Sequence, residues 1–390
     1  MKKNKHFFQT IKVGNTSFIN CFLLFIMLII AFSLQCITIL ELPQNFSEPN
    51  AGTPENPFII SNLGNLRWLS ETPEAWGNES MMFYYLQTAD IDATETIDWN
   101  DGNGFRPIGR VSRFTQNYFF GEYNGNNFII KDLFINSQYD DFFENSVGFF
   151  AGIVNSNIIN LRLENIHIAA QFDVGGIAGL AYNSTILNSS VSGIIYADEN
   201  TFAVGSLIGR ADSSTIEFCS SVARIAGSNS ESDFSVTGGL IGSMSESILR
   251  NSFFNGSIRR QAMNSGGLVG FVTFLSTIEY CYVATSEILP QGIILYEINE
   301  NEYFPMRFGA ISSSVINGSS VSNTFFDRQK TGIRNGIHLA LQSKFFDKSI
   351  RGLITWRMKR ASVFKRSGWD FENVWTINKN VNEGYPYLKP

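Results

Sequence analysis

Glycine recurs inside apolar runs of this chain at a nearly fixed interval, and that interval limits the folds open to it. The first glycines of "VGFFAG", "VGGIAG", "VGSLIG", "TGGLIG" and "SGGLVG" are Gly148, Gly175, Gly205, Gly238 and Gly266, separated by 27, 30, 33 and 28 residues. Self-similarity at this period marks a repeat architecture. Ten to twelve residues after each first glycine stands an isoleucine, Ile158, Ile186, Ile216, Ile248 or Ile278, opening "IINLRL", "ILNSSV", "IEFCSSV", "ILRNSFF" and "IEYCYV". These runs are short, rich in β-branched, aromatic and small polar residues, and show no sustained 3.6-residue periodicity.

A unit of roughly 28 residues with two or three short strands is too small to bury its own face, so it is satisfied by stacking on copies of itself, strand over strand at about 4.8 Å per coil. The expected fold is therefore all-β, a parallel β-helix or β-solenoid. The period is too short for propeller blades. Helix formers are too sparse for a helical solenoid, because Ser, Asn and Gly recur where a helix would have to continue. Gly238 and Gly242 are expected where successive coils turn a corner or approach closely. The pattern does not say which of Leu240 and Ile241 faces the core.

The blocks, taken with the "I-x-N-S" type of run that comes after them, resemble the GLUG-motif repeat proteins of bacterial and archaeal cell surfaces. Ahead of them, "GTPENPFIISNLGNLRWLS", "YYLQTADIDATETIDWNDGNGFRPIG" and "FFGEYNGNNFIIKDLFIN" resemble the family's opening segment, in which a strand and a short helix cover the first coil. Behind them, "NTFFDRQKTGI" and "LITWRMKRASVFKRSGWDFENVWTINKNVNEGYPYL" resemble its closing segment. The resemblance spans Gly52 to Leu388 and implies a right-handed parallel β-helix. It departs from the pattern at Ser206, which replaces the second glycine, at the loose "VGFFAG" block, and at the degenerate "RFGAIS" block, Arg307 to Ser312. The chain divides into four regions: 1–42, a basic tail with a hydrophobic helix serving as signal peptide or membrane anchor; 43–147, an N-terminal cap and first coils; 148–326, the GLUG-type repeats; and 327–390, a basic, aromatic C-terminal cap.

Lys2, Lys3, Lys5 and Lys12 precede an uncharged run of 23 residues, Phe18 to Leu40, long enough to span a bilayer as a helix. Positive-inside bias keeps the N-terminus cytoplasmic and exports the chain beyond Glu41. Both an uncleaved anchor and a signal peptide cleaved near Ala31 and Ser33 fit the run; acylation at Cys36 fits it less well, because Ser33 stands where leucine is usual. Only Cys219 and Cys281 lie beyond this segment, too few for a disulfide framework. With Asn251 taken as the equivalent residue of the coil between them, they lie two rises apart, about 9.6 Å, and a disulfide needs Cα atoms within about 7 Å. Charge is uneven: Pro43 to Phe326 holds 12 Lys and Arg against 29 Asp and Glu, a net of −17, whereas Asp327 to Arg366 holds 11 against two, a net of +9.

Candidate sites are few. Asp90, Asp92, Asp98, Asn100, Asp101 and Asn103 in "DIDATETIDWNDGNG" offer oxygens for calcium but miss the EF-hand spacing, and "NDGNG" is what tight turns select without an ion; metal binding stays undecided. Parallel β-helices that cleave polysaccharides need clustered carboxylates. Here Asp140 and Asp141 fall in an expected loop before the repeats, while Asp173, Asp212, Glu217, Glu246 and Glu279 are dispersed among coils, and without a register none can be paired. The histidines His6, His167 and His338 are scattered, and the H-E-x-x-H helix of the zinc peptidases that accompany some of these repeats does not occur. His167 is either a stacked interior residue or a lone surface one. The basic run Arg357 to Arg366 is read as closing an acidic body, with Trp356, Phe364, Trp369, Phe371 and Trp375 covering the coil end. Asn45, Asn78, Asn183, Asn188, Asn255 and Asn317 each stand in an N-x-S/T sequon.

No catalytic residue and no cofactor site is assigned. The expected function is that of a non-catalytic, exported cell-surface protein, adhesin-like, anchored through residues 18–40 or secreted. It presents a long acidic wall to a surface glycan, matrix or protein ligand, with no nucleic-acid partner. The alternative is a polysaccharide lyase or hydrolase on the same scaffold. Three or more charged side chains converging in one groove of adjacent coils would favour the enzyme, and Ser, Thr and Asn along every groove the binding protein.

Overall fold

A computed structural model of the protein describes residues 39–390 except 113, 138–145, 199–200, 228–234, 260–261, 287–294, 300–301, 306 and 342–349. Nearly all of the Phe18–Leu40 run, His6, Cys36 and the Asp140–Asp141 pair lie outside the described residues, and no helix among those described is long and apolar enough to cross a membrane.

Successive coils lie in parallel register. One coil runs through Ala203–Val204, Ile208–Asp212, Thr215–Glu217, and then Ser220–Ser221 with Arg224–Gly227. Its strands join four parallel-paired sheets which, among the described residues, hold six, seven, nine and twelve strands. In the nine-stranded sheet the inward column is Phe58, Tyr85, Tyr123, Ile158, Ile186, Ile216, Leu249, Ile278 and Val321, each paired with the next and all buried. The alignment on Ile248 is thus off by one. Ile216 pairs with Leu249, and Ile248 sits half-buried on the outer face between Thr215 and Thr277. Two adjacent apolar residues fit either register by letter; the pairing keeps the Gly205-to-Ile216 spacing of 11 residues in Gly238-to-Leu249. The "RFGAIS" block folds as a regular coil, with Gly238, Gly266 and Gly309 in line.

Close approach explains the glycines. A Cβ on Gly238 would lie 1.9 Å from the Ile241 carbonyl oxygen and 2.6 Å from the Gly270 nitrogen, and one on Gly242 would lie 2.5 Å from the Gly209 oxygen. Neither residue has a positive φ. Between them the backbone turns so tightly that the Leu240 and Ile241 amides both donate to the Leu268 carbonyl, at 2.8 and 3.1 Å. Both side chains therefore face inward, and both are fully buried.

The other corners use left-handed backbone. One column is Asn155, Asn183, Ser213, Glu246, Leu275 and Gly318; the other is Asn160, Asn188, Phe218, Asn251, Tyr280 and Asn323. Asparagine tolerates this conformation better than most residues, which accounts for the "N-S" of the repeat. The serine after it turns inward. Ser156, Ser184, Ser214, Ser247 and Ser276 each accept a backbone N–H from the preceding coil at 3.0–3.1 Å and donate to a carbonyl two or three residues back at 2.6–2.8 Å. This buried ladder satisfies amides that the corners would leave without partners.

At the N-terminal end, helix Leu63–Glu71 is capped by Asn62, whose side chain accepts from the Asn65 amide. It sets Leu66, Trp68 and Leu69 into the core, with Trp68 5.4 Å from Phe58. The C-terminal aromatics behave differently from expectation. Phe364, Trp369 and Trp375 form a second core with Phe253, Tyr282 and Phe325, which stand in one outward column of the twelve-stranded sheet. The segment therefore clamps the side of the last coils; at the coil end it is Ile333, Ile337 and Ile350 that pack on the main core. Phe371 packs at the margin of the second core, and Trp356 is exposed.

Candidate functional site

The outer face of the nine-stranded sheet carries two columns. One reads Asn157, Thr185, Thr215, Ile248, Thr277 and Ser320. The other reads Ile159, Leu187, Glu217, Arg250, Glu279 and Ser322, and places Arg250 between the two glutamates, 2.5 Å from Glu279 and 3.9 Å from Glu217. Three charged groups therefore do converge across adjacent coils, but the guanidinium is spent on the carboxylates beside it. Asp212 and Glu246 meet at the Ser213 hydroxyl, 3.2 and 3.4 Å away, with the Ser213 amide held by the next coil.

Asp173 is buried, with one carboxylate oxygen 3.2 Å from Arg210 and the other without a partner. Burial raises its pKa to about 6, and Arg210 opposes that rise. Such a group can hold a proton near neutrality, but a side chain 7% exposed has no route to a polymer substrate. His167 lies outward on Phe134, ring centroids 5.3 Å apart, and partial burial lowers its pKa. His338 is exposed on another sheet.

The oxygen-rich stretch is divided among separate tasks. Asp90 accepts from the Ile129 amide at 2.8 Å, and Asp92 takes the Thr94 hydroxyl and amide and, at 2.9 Å, the Lys131 ammonium, which together lower its pKa to about 2. Asp98 is exposed. Asn100, Asp101 and Asn103 line a cleft of about 450 Å³ with Arg106, Arg110 and Ser112. Among the described residues no three His, Cys, Asp or Glu side chains are grouped to hold a metal ion.

Cys219 and Cys281 are buried and unbonded. The residue between them is Ser252, since the register moves by one from Asn251, and its hydroxyl accepts the Cys219 amide at 3.0 Å. The thiols occupy places that other coils give to Ser189 and Ser252, each 3.2 Å from a carbonyl two residues back. Among the sequons, Asn45 is buried with its amide on Asn56 and Pro57, whereas Asn183 and Asn188 are exposed corner residues bonded to Asn155 and Asn160 at 2.6 and 2.7 Å. Sequence reasoning missed both asparagine columns as structure; their signal was the Asn-Ser step that recurs at Asn155, Asn183, Asn188 and Asn251.

Residues 170–196, one full coil, match the family model described as the GLUG motif. That stretch is a GLUG motif. Halomucin from Haloquadratum walsbyi is 32% identical to this chain over 168 residues, which are 42% of the chain and 2% of halomucin, so the chain spans a small fraction of that relative's length. A solved structure of an IgA1 Protease superposes with a TM-score of 0.46 at 16% identity, over 75% of this chain and 20% of that one.

Proposed function

We propose that this GLUG-repeat chain is a non-catalytic protein of the cell surface whose coil walls bind a surface glycan, matrix or protein ligand through many weak, repeated contacts. The observation that carries the reading is the register itself. It sets Asn157, Thr185, Thr215, Thr277 and Ser320 in one outward line interrupted by Ile248, and it pairs charges such as Arg250 with Glu217 and Glu279. Short polar side chains at regular spacing suit avidity, because each contact can be weak if many are made together. The halomucin relative supports a place at the cell surface. The long acidic wall expected from composition is replaced in this reading by a mixed polar one.

The test deletes one coil in register, Gly175 to Val204, from the full chain and screens attachment to glycans and matrix proteins. The shortened chain is expected to fold, since each coil contacts only its neighbours, and to attach more weakly without losing attachment. Polyuronates, other glycans and peptides should remain uncleaved with or without calcium or zinc. Sustained turnover abolished by a single substitution such as Asp173→Asn or Asp212→Asn overturns the reading in favour of the polysaccharide-cleaving alternative.

A further inference from the structure

The side clamp has two faces of opposite character. Its inner face is the apolar second core. Its outer face holds a cleft of about 240 Å³ lined by Arg351, Trp356, Arg357, Arg360, Ser362 and Arg366, with no acidic side chain among the described lining residues. Trp356 is 50% exposed. The Arg360 and Arg357 guanidinium carbons lie 4.3 and 5.7 Å from its ring centroid. Trp356 and Arg357 lie on the short helix Thr355–Met358, Arg360 and Arg366 flank the helix Ala361–Lys365, and Arg351 opens the strand Arg351–Leu353; each helix is pinned from beneath by a buried side chain, Met358 or Phe364.

Three guanidinium groups of the clamp, those of Arg357, Arg360 and Arg366, share one cleft and repel one another, while the burial in this segment is done by its other face. An anion relieves that repulsion. Guanidinium forks match the oxygen geometry of carboxylate and sulfate groups in two-point contacts. Beside them the half-exposed indole offers an apolar surface to the C–H face of a sugar ring. Single-stranded nucleic acid is the poorer fit, because it asks for successive aromatic platforms along a basic track, and this cleft holds one.

We infer that the Arg351–Trp356–Arg357–Arg360–Arg366 cleft is a binding site for an acidic glycan, a polysaccharide bearing sulfate or uronate groups. The site lies off the nine-stranded face and outside the deleted coil, so it stands or falls independently of the coil-deletion experiment.

Binding of the full chain is measured on immobilised dextran sulfate and polygalacturonate, with neutral dextran and a single-stranded oligonucleotide for comparison. Acidic glycans should be retained and neutral dextran should not. Arg360→Glu should lower affinity for the acidic glycan about tenfold or more. Lys365→Glu makes the same change in net charge at an exposed residue outside the cleft, and should change affinity less than about twofold because that charge is screened by solvent and salt. Trp356→Ala should weaken binding more than Trp356→Phe. Equal losses from the two charge reversals, tighter binding of the oligonucleotide, no binding to either acidic glycan, or retention that proves to be contact between copies of the chain would each overturn the assignment. Should Arg360→Glu melt below the wild type, the pair Arg360→Gln and Arg366→Gln, matched for melting, is held to the same criteria.

Discussion

Asp173 is the residue at which burial and charge most visibly compete. Desolvation outweighs the attraction of Arg210, so the folded carboxyl titrates near pH 6, above the roughly 3.9 of an unfolded aspartate. Between those values the folded Asp173 binds more proton than the unfolded one, so its own contribution to stability falls as pH rises through the window. A shift of about two units corresponds to an upper bound near 3 kcal/mol. Asp173→Asn is expected to flatten urea-denaturation stability between pH 4 and 6, and Arg210→Ala to steepen it. An unchanged slope in Asp173→Asn would mean that the carboxyl is solvated. Burial acts on the cysteines in the same direction: it pushes the Cys219 thiol up to about 12, and the thiol serves as a ladder member in a serine position.

At the scale of the element, glycine and asparagine have divided the corners between them. Gly242 sits where backbone of the adjacent coil leaves no room, and a methyl group there meets the Gly209 oxygen and the Val204 nitrogen at 2.5 and 2.6 Å. Neither atom belongs to a side chain that could swing aside. Gly242→Ala is expected to lower unfolding free energy by about 3 kcal/mol or more. Gly332 provides the contrast, since its Cβ would meet nothing within 4 Å and only its φ of +69° resists substitution; Gly332→Ala should cost about 1 kcal/mol. Chemical denaturation of the two variants separates steric from conformational glycine, and equal losses would refute the close-approach account. The repeat period and the glycine positions were legible in the sequence because every coil restates them. The register at Ile248 was not, because two neighbouring apolar residues satisfy the same pattern and only strand pairing chooses between them.

Across the whole molecule, the stack is closed at its start by the Leu63–Glu71 helix and braced along its side near its end. The brace covers Phe253, Tyr282 and Phe325, with Phe253 and Tyr282 stacked at 5.0 Å and Tyr282 donating to the Pro386 carbonyl at 2.6 Å. Removing Ile354 to Pro390 should leave the strand signal in circular dichroism nearly intact while uncovering those three rings on an outer wall. Self-association by light scattering is the expected result. Substituting Phe253 and Phe325 by serine in the truncated chain should reduce it, because the exposed patch lies on the wall; association that ignores these substitutions would place the sticky surface at the coil end instead.

The repeating unit, its all-β stacking and the poverty of reactive groups were set by the amino-acid sequence alone, since these are properties of composition and period that each coil carries locally. Tertiary structure decided which residues share a column. The alignment of Glu217, Arg250 and Glu279, the burial of Asp173 beside Arg210, and the meeting of Phe253, Tyr282 and Phe325 with a segment some 40 to 120 residues further on all depend on coil register and on where the chain's end folds back. Neither is encoded in any short window, because parallel pairing joins residues a full coil apart, and a one-residue change of register exchanges wall for core.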